Sequence, residues 1–186
     1  STWSQIGLQS VNGSLIGTEA NAFQVFETTW QTWKFFYPDS KVVSTNTGHN
    51  RNYLRYPYGD YRTDRGLIFS VAVNDERLPQ KERVHGIVID GQVKVYQFSN
   101  FTNGAIIQDN FQGRDIILVG NELQNYIISF YPKTIDGTML EFEFAKELIS
   151  GSILVDQLGN EWDAFGYAVS GPNEGETLTM SQSFGG

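Results

Sequence analysis

The sequence predicts a mainly β protein, a hairpin-rich barrel or sandwich with one short aromatic helix near residues 28–37. Three observations carry this. Aromatics make up 14% of the 186 residues and there are 19 glycines, against only 18% charged residues; that balance suits short strands and tight turns better than long helices. From residue 84 onward, turn signals recur every eight to twelve residues, the spacing of an all-β sandwich or barrel. Two β-rich runs in "VHGIVIDGQVKVYQF" meet at Asp90-Gly91, the pair that a type I′ hairpin turn needs.

The elements follow in order. In "TTWQTWKFFYP", Thr28 or Thr29 can cap a helix, Trp30, Trp33 and Tyr37 fall on one stripe, and Pro38 stops it. Phe36 falls off that stripe, and the stripe itself reads as core packing rather than a ligand platform. "KVVST" (41–45) reads as a short strand, residues 47–65 as a long loop, and "GLIFSVAV" (66–73) as a buried strand. "NDERLPQKER" (74–83) is a charged loop. After the Asp90-Gly91 hairpin, "AIIQDNFQGRDIILVG" reads as a second hairpin turning near Gln112-Gly113. "YIISFYP" and "TMLEFEFA" read as a third pair around Asp136-Gly137, and "ISGSILVDQLGNEWDAFG" as a further strand and turn.

An echo links the ends. Trp3, Gly7, "VNG" at 11–13 and Gly17 are matched by Trp162, Gly166, "VSG" at 169–171 and Gly175. The expected organisation is residues 1–46 as the tail of a first repeat including the helix, 47–83 as an Arg/Tyr/His-rich loop region with one strand, and 84–186 as a second-repeat β domain, all packed as one globular unit. The start at Ser1, without Met or signal peptide, and the lack of an aromatic helix after "SQSFGG" make both ends read as processed or trimmed.

A chain of this size can be stable without staples, and it has no cysteine, which excludes disulfides, thiolate nucleophiles and cysteine metal sites. No apolar run approaches the eighteen residues of a membrane helix, so a spanning protein is not expected. The net charge of −8 is uneven: residues 47–85 carry about +2, with six of the seven arginines and both histidines. A chain this acidic is not expected to bind nucleic acid.

"STWSQ…VNG", "ETTWQTWKFFYPDSKVVSTNTGHNRNYLRYPYGDY", "NDERLPQKERVHGI", "GQVKVYQF" and "GNEWDAFGYAVSGPNEGETL" together resemble the bacterial family of unknown function DUF3179, in its C-terminal portion. The resemblance implies a secreted or lipid-anchored, hence extracytoplasmic, envelope protein of two related halves. Many members have a Cys-Pro-x-Cys-like stretch in the first half. This chain lacks that half and any cysteine, so no activity resting on that stretch carries over.

The residues must therefore be read for themselves. "TGHNRNYLRYPYGDYRTDRG" (47–66) collects four Arg, four Tyr, one His and two Asp. Extended, it would put His49, Arg51, Tyr53 and Arg55 on one face. Guanidinium forks take carboxylate, sulfate or phosphate, and Tyr rings stack on sugars. The ligand-binding candidates are Arg51, Arg55, Tyr58, Tyr61 and Arg62; the catalytic candidates are His49, Tyr53 and Asp60. The bland alternative is a loop pinned by Asp60 and Asp64 pairing with Arg62 and Arg65. His85 opens an alternating strand and reads as a satisfied structural histidine. The histidines show no metal-ligand spacing, and no metal or cofactor is expected. Asp75, Glu76 and Glu82 read as a salt-bridged loop before they read as a glycosidase acid/base pair. No phosphate loop, dinucleotide fingerprint or Gly-x-Ser-x-Gly occurs.

Two function classes follow. The first is an extracytoplasmic binding or structural module, with an anionic small molecule or glycan held at the Arg/Tyr/His loop. The second is an enzyme acting on a carbohydrate or other anionic substrate by acid/base chemistry, for example uronate elimination, with His49 and Tyr53 as acid/base groups and Arg51 and Arg55 as clamps. As an assembly piece, the chain's expected partners are the absent first half or another envelope protein.

Overall fold

In the computed structural model, residues 1–4, 9–21, 23, 25–71, 75–145 and 151–185 are described. Twelve strands and one α-helix run in the order β1 (Thr2–Ser4), β2 (Gln9–Asn12), α1 (Trp30–Phe36), β3 (Val84–Ile89), β4 (Gln92–Gln97), β5 (Ala105–Phe111), β6 (Arg114–Asn121), β7 (Tyr126–Phe130), β8 (Phe142–Phe144), β9 (Ser152–Asp156), β10 (Glu161–Asp163), β11 (Ala168–Ser170) and β12 (Ser183–Gly185). They form antiparallel sheets ordered β1-β2, β12-β3-β4, β5-β6-β7 and β11-β10-β9-β8. None of these closes into a barrel; the arrangement is sandwich-like.

The sheet β5-β6-β7 lies between the other two large ones. Ile117 and Val119 of β6, with Tyr126, Ile128 and Phe130 of β7, pack with Phe142, Ile153, Leu154 and Trp162. Their neighbours Ile116, Leu118 and Ile127 pack on the opposite side with Ile87, Ile89 and Tyr96. Successive strand side chains point to opposite faces. A strand covered on both faces therefore needs a continuous apolar run, which "IILV" and "YIISF" supply.

The first two hairpins form where the turn residues place them. Asp90 and Gly91 have φ of 49° and 74°, and Gln112 and Gly113 have φ of 51° and 72°, both type I′ in sign. The third expected pair does not form. β7 pairs with β6, and β8 pairs with β9. The turn at 134–138, closed by the Lys133–Met139 bridge, instead passes the chain from one sheet to the next. The strands expected at 41–45 and 66–73 are also absent from residues 41–45 and 66–71; residues 72–73 lie outside the described residues. Val42, Val43, Ile68, Phe69 and Val71 are exposed. Despite their β-forming side chains, these residues pair with no sheet edge, and a strand without a neighbour is not stable. Gly7, which the sequence echo matches to Gly166, also lies outside the described residues.

The helix begins where Thr29 accepts a hydrogen bond from the Thr32 amide at 3.1 Å. Its inward stripe is Thr32, Trp33, Phe36 and Tyr37 rather than Trp30, Trp33 and Tyr37: Trp30 is exposed and Phe36 is buried. Thr28 and Thr32 both donate to the Gln124 carbonyl, at 2.7 and 3.0 Å. This anchors the helix over the β6–β7 turn and turns Phe36 into Tyr126, with ring centroids 5.6 Å apart. The aromatic helix is thus a core element.

A single carboxylate organises the β9–β10 turn. Asp156 accepts from the Leu158 and Asn160 amides (2.9 and 3.0 Å), from Asn160 Nδ2 (2.8 Å) and from Trp162 Nε1 (3.0 Å). Four donors make a buried carboxylate tolerable, and they hold the fully buried Trp162 against Phe142. Removing the acceptor orphans those donors. Asp156→Ala is expected to cost about 3 kcal/mol or more in urea unfolding. Gly171 has φ of 99°, and a Cβ there would lie 2.7 Å from Asn160 Cα. Gly171→Ala is expected to cost about 2 kcal/mol in the same assay.

Candidate functional site

Between α1 and β3, residues 38–71 contain neither helix nor strand. Residues 47–66 are a succession of turns. Arg51 N donates to His49 O at 3.1 Å, Leu54 N to Asn52 Oδ1 at 3.1 Å, Tyr61 N to Tyr58 O at 3.2 Å and Asp64 N to Asp60 O at 2.9 Å. Gly48 and Gly59 take φ of 75° and 60°. These local bonds compete with an extended chain, so the alternating face of His49, Arg51, Tyr53 and Arg55 does not form.

One residue outside the segment pins it. Lys81 Nζ donates to the carbonyls of Tyr61 (2.7 Å) and Asp64 (2.6 Å), and lies 3.5 Å from the centroid of the Tyr61 ring. This cation–π and carbonyl clamp does the work expected of Asp60 and Asp64. Asp64 instead accepts from the Gly66 amide at 2.6 Å. Lys81 was not legible as an anchor, because it is one charge among several in "NDERLPQKER".

Among the candidates, Arg62 is brought onto Tyr56, its guanidinium carbon 4.5 Å from the ring centroid, and Tyr58 meets the same ring edge-on at 5.7 Å. Tyr53 OH is hydrogen-bonded to Thr47 Oγ1 at 2.7 Å. His49, Arg51, Arg55 and Asp60 are exposed, and Tyr61 is half-buried over Lys81. The charge arrangement separates this segment from the rest. Arg77, Arg83 and Arg114 pair with Asp75, Glu27 and Asp90. Arg51, Arg55, Arg62 and Arg65 make no ion pair among the described residues.

In the charged loop, Asp75 and Glu82 are both taken up by neighbouring side chains. Arg77 grips Asp75 through both carboxylate oxygens, and these hydrogen bonds hold its carboxyl down at about 2. Such a group is not a proton donor near neutrality. Glu82 accepts from Gln97 Nε2 at 3.0 Å. Between this loop and the outer face of β3–β4 lies a groove of about 790 Å³, walled by Leu67, Val71, Leu78, Val93 and Val95. Its sequence signal is β4 itself: Val93 and Val95 on one face, Lys94 and Tyr96 on the other. Two further grooves, of about 610 and 530 Å³, are lined by 108, 141–143 and 155–157 and by 75–80. None of the three is lined by a residue of 47–66. No group of three or more metal-ligating side chains occurs among the described residues, and no helix among them is long and apolar enough to cross a membrane.

A family described as a protein of unknown function, DUF3179, matches residues 1–185. The chain belongs to DUF3179. The match takes in essentially the whole chain and not only a C-terminal portion. No curated protein and no solved structure matches it.

In this DUF3179 chain the second histidine is internal. His85 Nε2 lies 2.9 Å from Ser129 Oγ, which meets Ser181 Oγ at 2.5 Å, and all three residues are buried. Burial pulls the imidazole from 6.5 down to about 4. The unfolded chain therefore binds a proton on His85 that the folded chain refuses between those values. Stability is expected to fall as pH drops from about 6.5 to about 4, by about 3 kcal/mol in total. Urea unfolding across that range, repeated with His85→Gln, checks this; the variant is expected to lose that part of the slope.

Proposed function

We propose that the chain is an extracytoplasmic binding module that holds an anionic small molecule or glycan on the Arg/Tyr/His segment at 47–66. The observation that carries the reading is the contrast in arginine pairing. Every arginine outside the segment is paired with a carboxylate, and the four within it make no ion pair among the described residues, on a molecule of net charge −8. An acidic protein that leaves guanidinium forks unneutralised on one exposed segment has them available for an external anion. Tyr53 and Tyr58 stand exposed beside them and offer rings for stacking on a sugar. The site is open rather than enclosed and the Tyr53 hydroxyl is bonded within its own loop, which favours binding over turnover. The extracytoplasmic location is supported by the envelope character of the family that the sequence resembles, and membrane and periplasmic fractionation of cells tests it.

Binding to polygalacturonate, with neutral dextran as control, tests the ligand class. Affinity for the acidic polymer is expected to fall as salt rises. The triple substitution Arg51→Gln, Arg55→Gln, Arg62→Gln is expected to weaken it by about tenfold or more without moving the melting temperature. Equal binding to dextran, or an unchanged triple variant, overturns the reading.

A further inference from the structure

The groove over β3–β4 and the arginines of 47–66 are joined at two points. Leu67, Val71 and Leu78 wall the groove on the loop side, and Val93 and Val95, on the outer face of β4, wall it on the other. The first join is the chain itself. Arg65 stands two residues before Leu67, so their Cα atoms lie within about 7 Å of each other. The second is the Lys81 clamp. Lys81 Nζ holds the carbonyls of Tyr61 and Asp64 at 2.7 and 2.6 Å. These residues directly precede Arg62 and Arg65, and Lys81 directly follows Gln80, which lines the groove.

The two features differ in charge. Around the groove the charged side chains already have partners. Arg77 pairs with Asp75, Lys94 pairs with Asp109, and Glu82 accepts from Gln97 at 3.0 Å. Val93 and Val95 are 54% and 43% exposed there, apolar surface facing apolar surface across an opening. Beyond the groove, Arg62 and Arg65 make no ion pair among the described residues. Arg62 rests with its guanidinium carbon 4.5 Å from the Tyr56 ring centroid, a cation–π contact that leaves its N–H groups for an acceptor.

We propose that the groove and these arginines form one site for a single-chain anionic amphiphile of the fatty-acid kind. Its alkyl tail lies between Leu67 and Leu78 on one side and Val93 and Val95 on the other, and its carboxylate meets Arg62 and Arg65. The proposal rests on the anion-binding reading of 47–66 and extends it from the head of the ligand to its tail. Charge complementarity selects this occupant. Guanidinium forks beside an apolar trough, whose own charged side chains are already matched, fit a ligand charged at one end only. The groove's volume of about 790 Å³ falls within the ~300–1,000 Å³ of small-molecule sites. A trough walled on two sides takes a narrow chain rather than a flat bilayer surface. A second copy of the chain would bring its own net charge of −8 against the first.

Monomeric decanoate titrated into the full chain, followed by calorimetry and hydrogen exchange, is the test. Acetate supplies the head without the tail, and decanol the tail without the head. Decanoate is expected to bind about tenfold or more tighter than either. Affinity is expected to rise about twofold or more per methylene from octanoate to dodecanoate, with new protection at the amides of β4 and of residues 65–71. Val95→Gln and Leu78→Gln, on opposite walls, are each expected to weaken decanoate about fivefold or more and to leave polygalacturonate binding unchanged. Leu78 lies outside every strand, so its variant keeps the test meaningful should the β4 variant fold poorly. Arg62→Gln with Arg65→Gln is expected to bring decanoate down to the level of decanol. Decanoate binding no tighter than acetate or decanol, free of chain-length dependence, or indifferent to both wall variants overturns the proposal, while the polygalacturonate result still judges the anion site by itself. Binding to phosphatidylglycerol vesicles but not to monomeric decanoate makes a bilayer the occupant and overturns it too. So does self-association that the wall variants abolish, which makes a second copy the occupant.

Discussion

Burial of both faces of β6 and β7 is the constraint on which the rest of the molecule depends. A sheet with two covered faces must have something to cover each. β3-β4 takes one side and β8 to β11 take the other. α1 completes the second side by setting Phe36 on Tyr126. The same constraint explains the buried polar row. Ser129 alternates with Ile128 and Phe130, so its hydroxyl points at β3, and His85 and Ser181 satisfy it there. A hydroxyl shut between layers needs such a partner.

Two carboxylates stitch the outer layers together. Asp156 gathers the β9–β10 turn around Trp162. Asp163, seven residues on, accepts from the Phe165 and Tyr167 amides, both at 2.9 Å, and from Tyr37 OH at 3.0 Å. The Tyr37 phenol is pushed well above its ordinary range by burial and by the carboxylate beside it, so it remains a donor. The end of α1 is thereby tied to the β10–β11 turn by a polar contact set within an aromatic cluster of Trp33, Tyr37 and Phe165.

What was legible in the sequence is what local chemistry decides. Positive φ suits Asp90, Gly91 and Gly113, so the two hairpins could be read from Asp90-Gly91 and from the glycine after Gln112. The helix could be read from its Thr cap and following Pro38. Long-range choices could not. "KVVST" and "GLIFSV" have strand composition, but a strand exists only where another offers an edge. The Trp30 stripe misled because Phe36, not Trp30, faces Tyr126. β12 was missed because three residues, "SFG", carry no pattern of their own; Phe184 is placed by the glycine it covers, Gly86. At the candidate site, the crowding of arginine and tyrosine was plain from composition. The clamp from Lys81 and the succession of turns were not, since both depend on backbone carbonyls that no side-chain pattern announces.

Four guanidinium groups without an ion pair among the described residues, clustered at 47–66 on a chain of net charge −8, would give the folded molecule an electric dipole. In the field of a negatively charged wall or polymer, such a particle experiences a torque before it touches anything. Encounter would then be biased toward one pole, and the turns at 47–66 would tend to arrive first, whatever the chemical detail of the surface they meet.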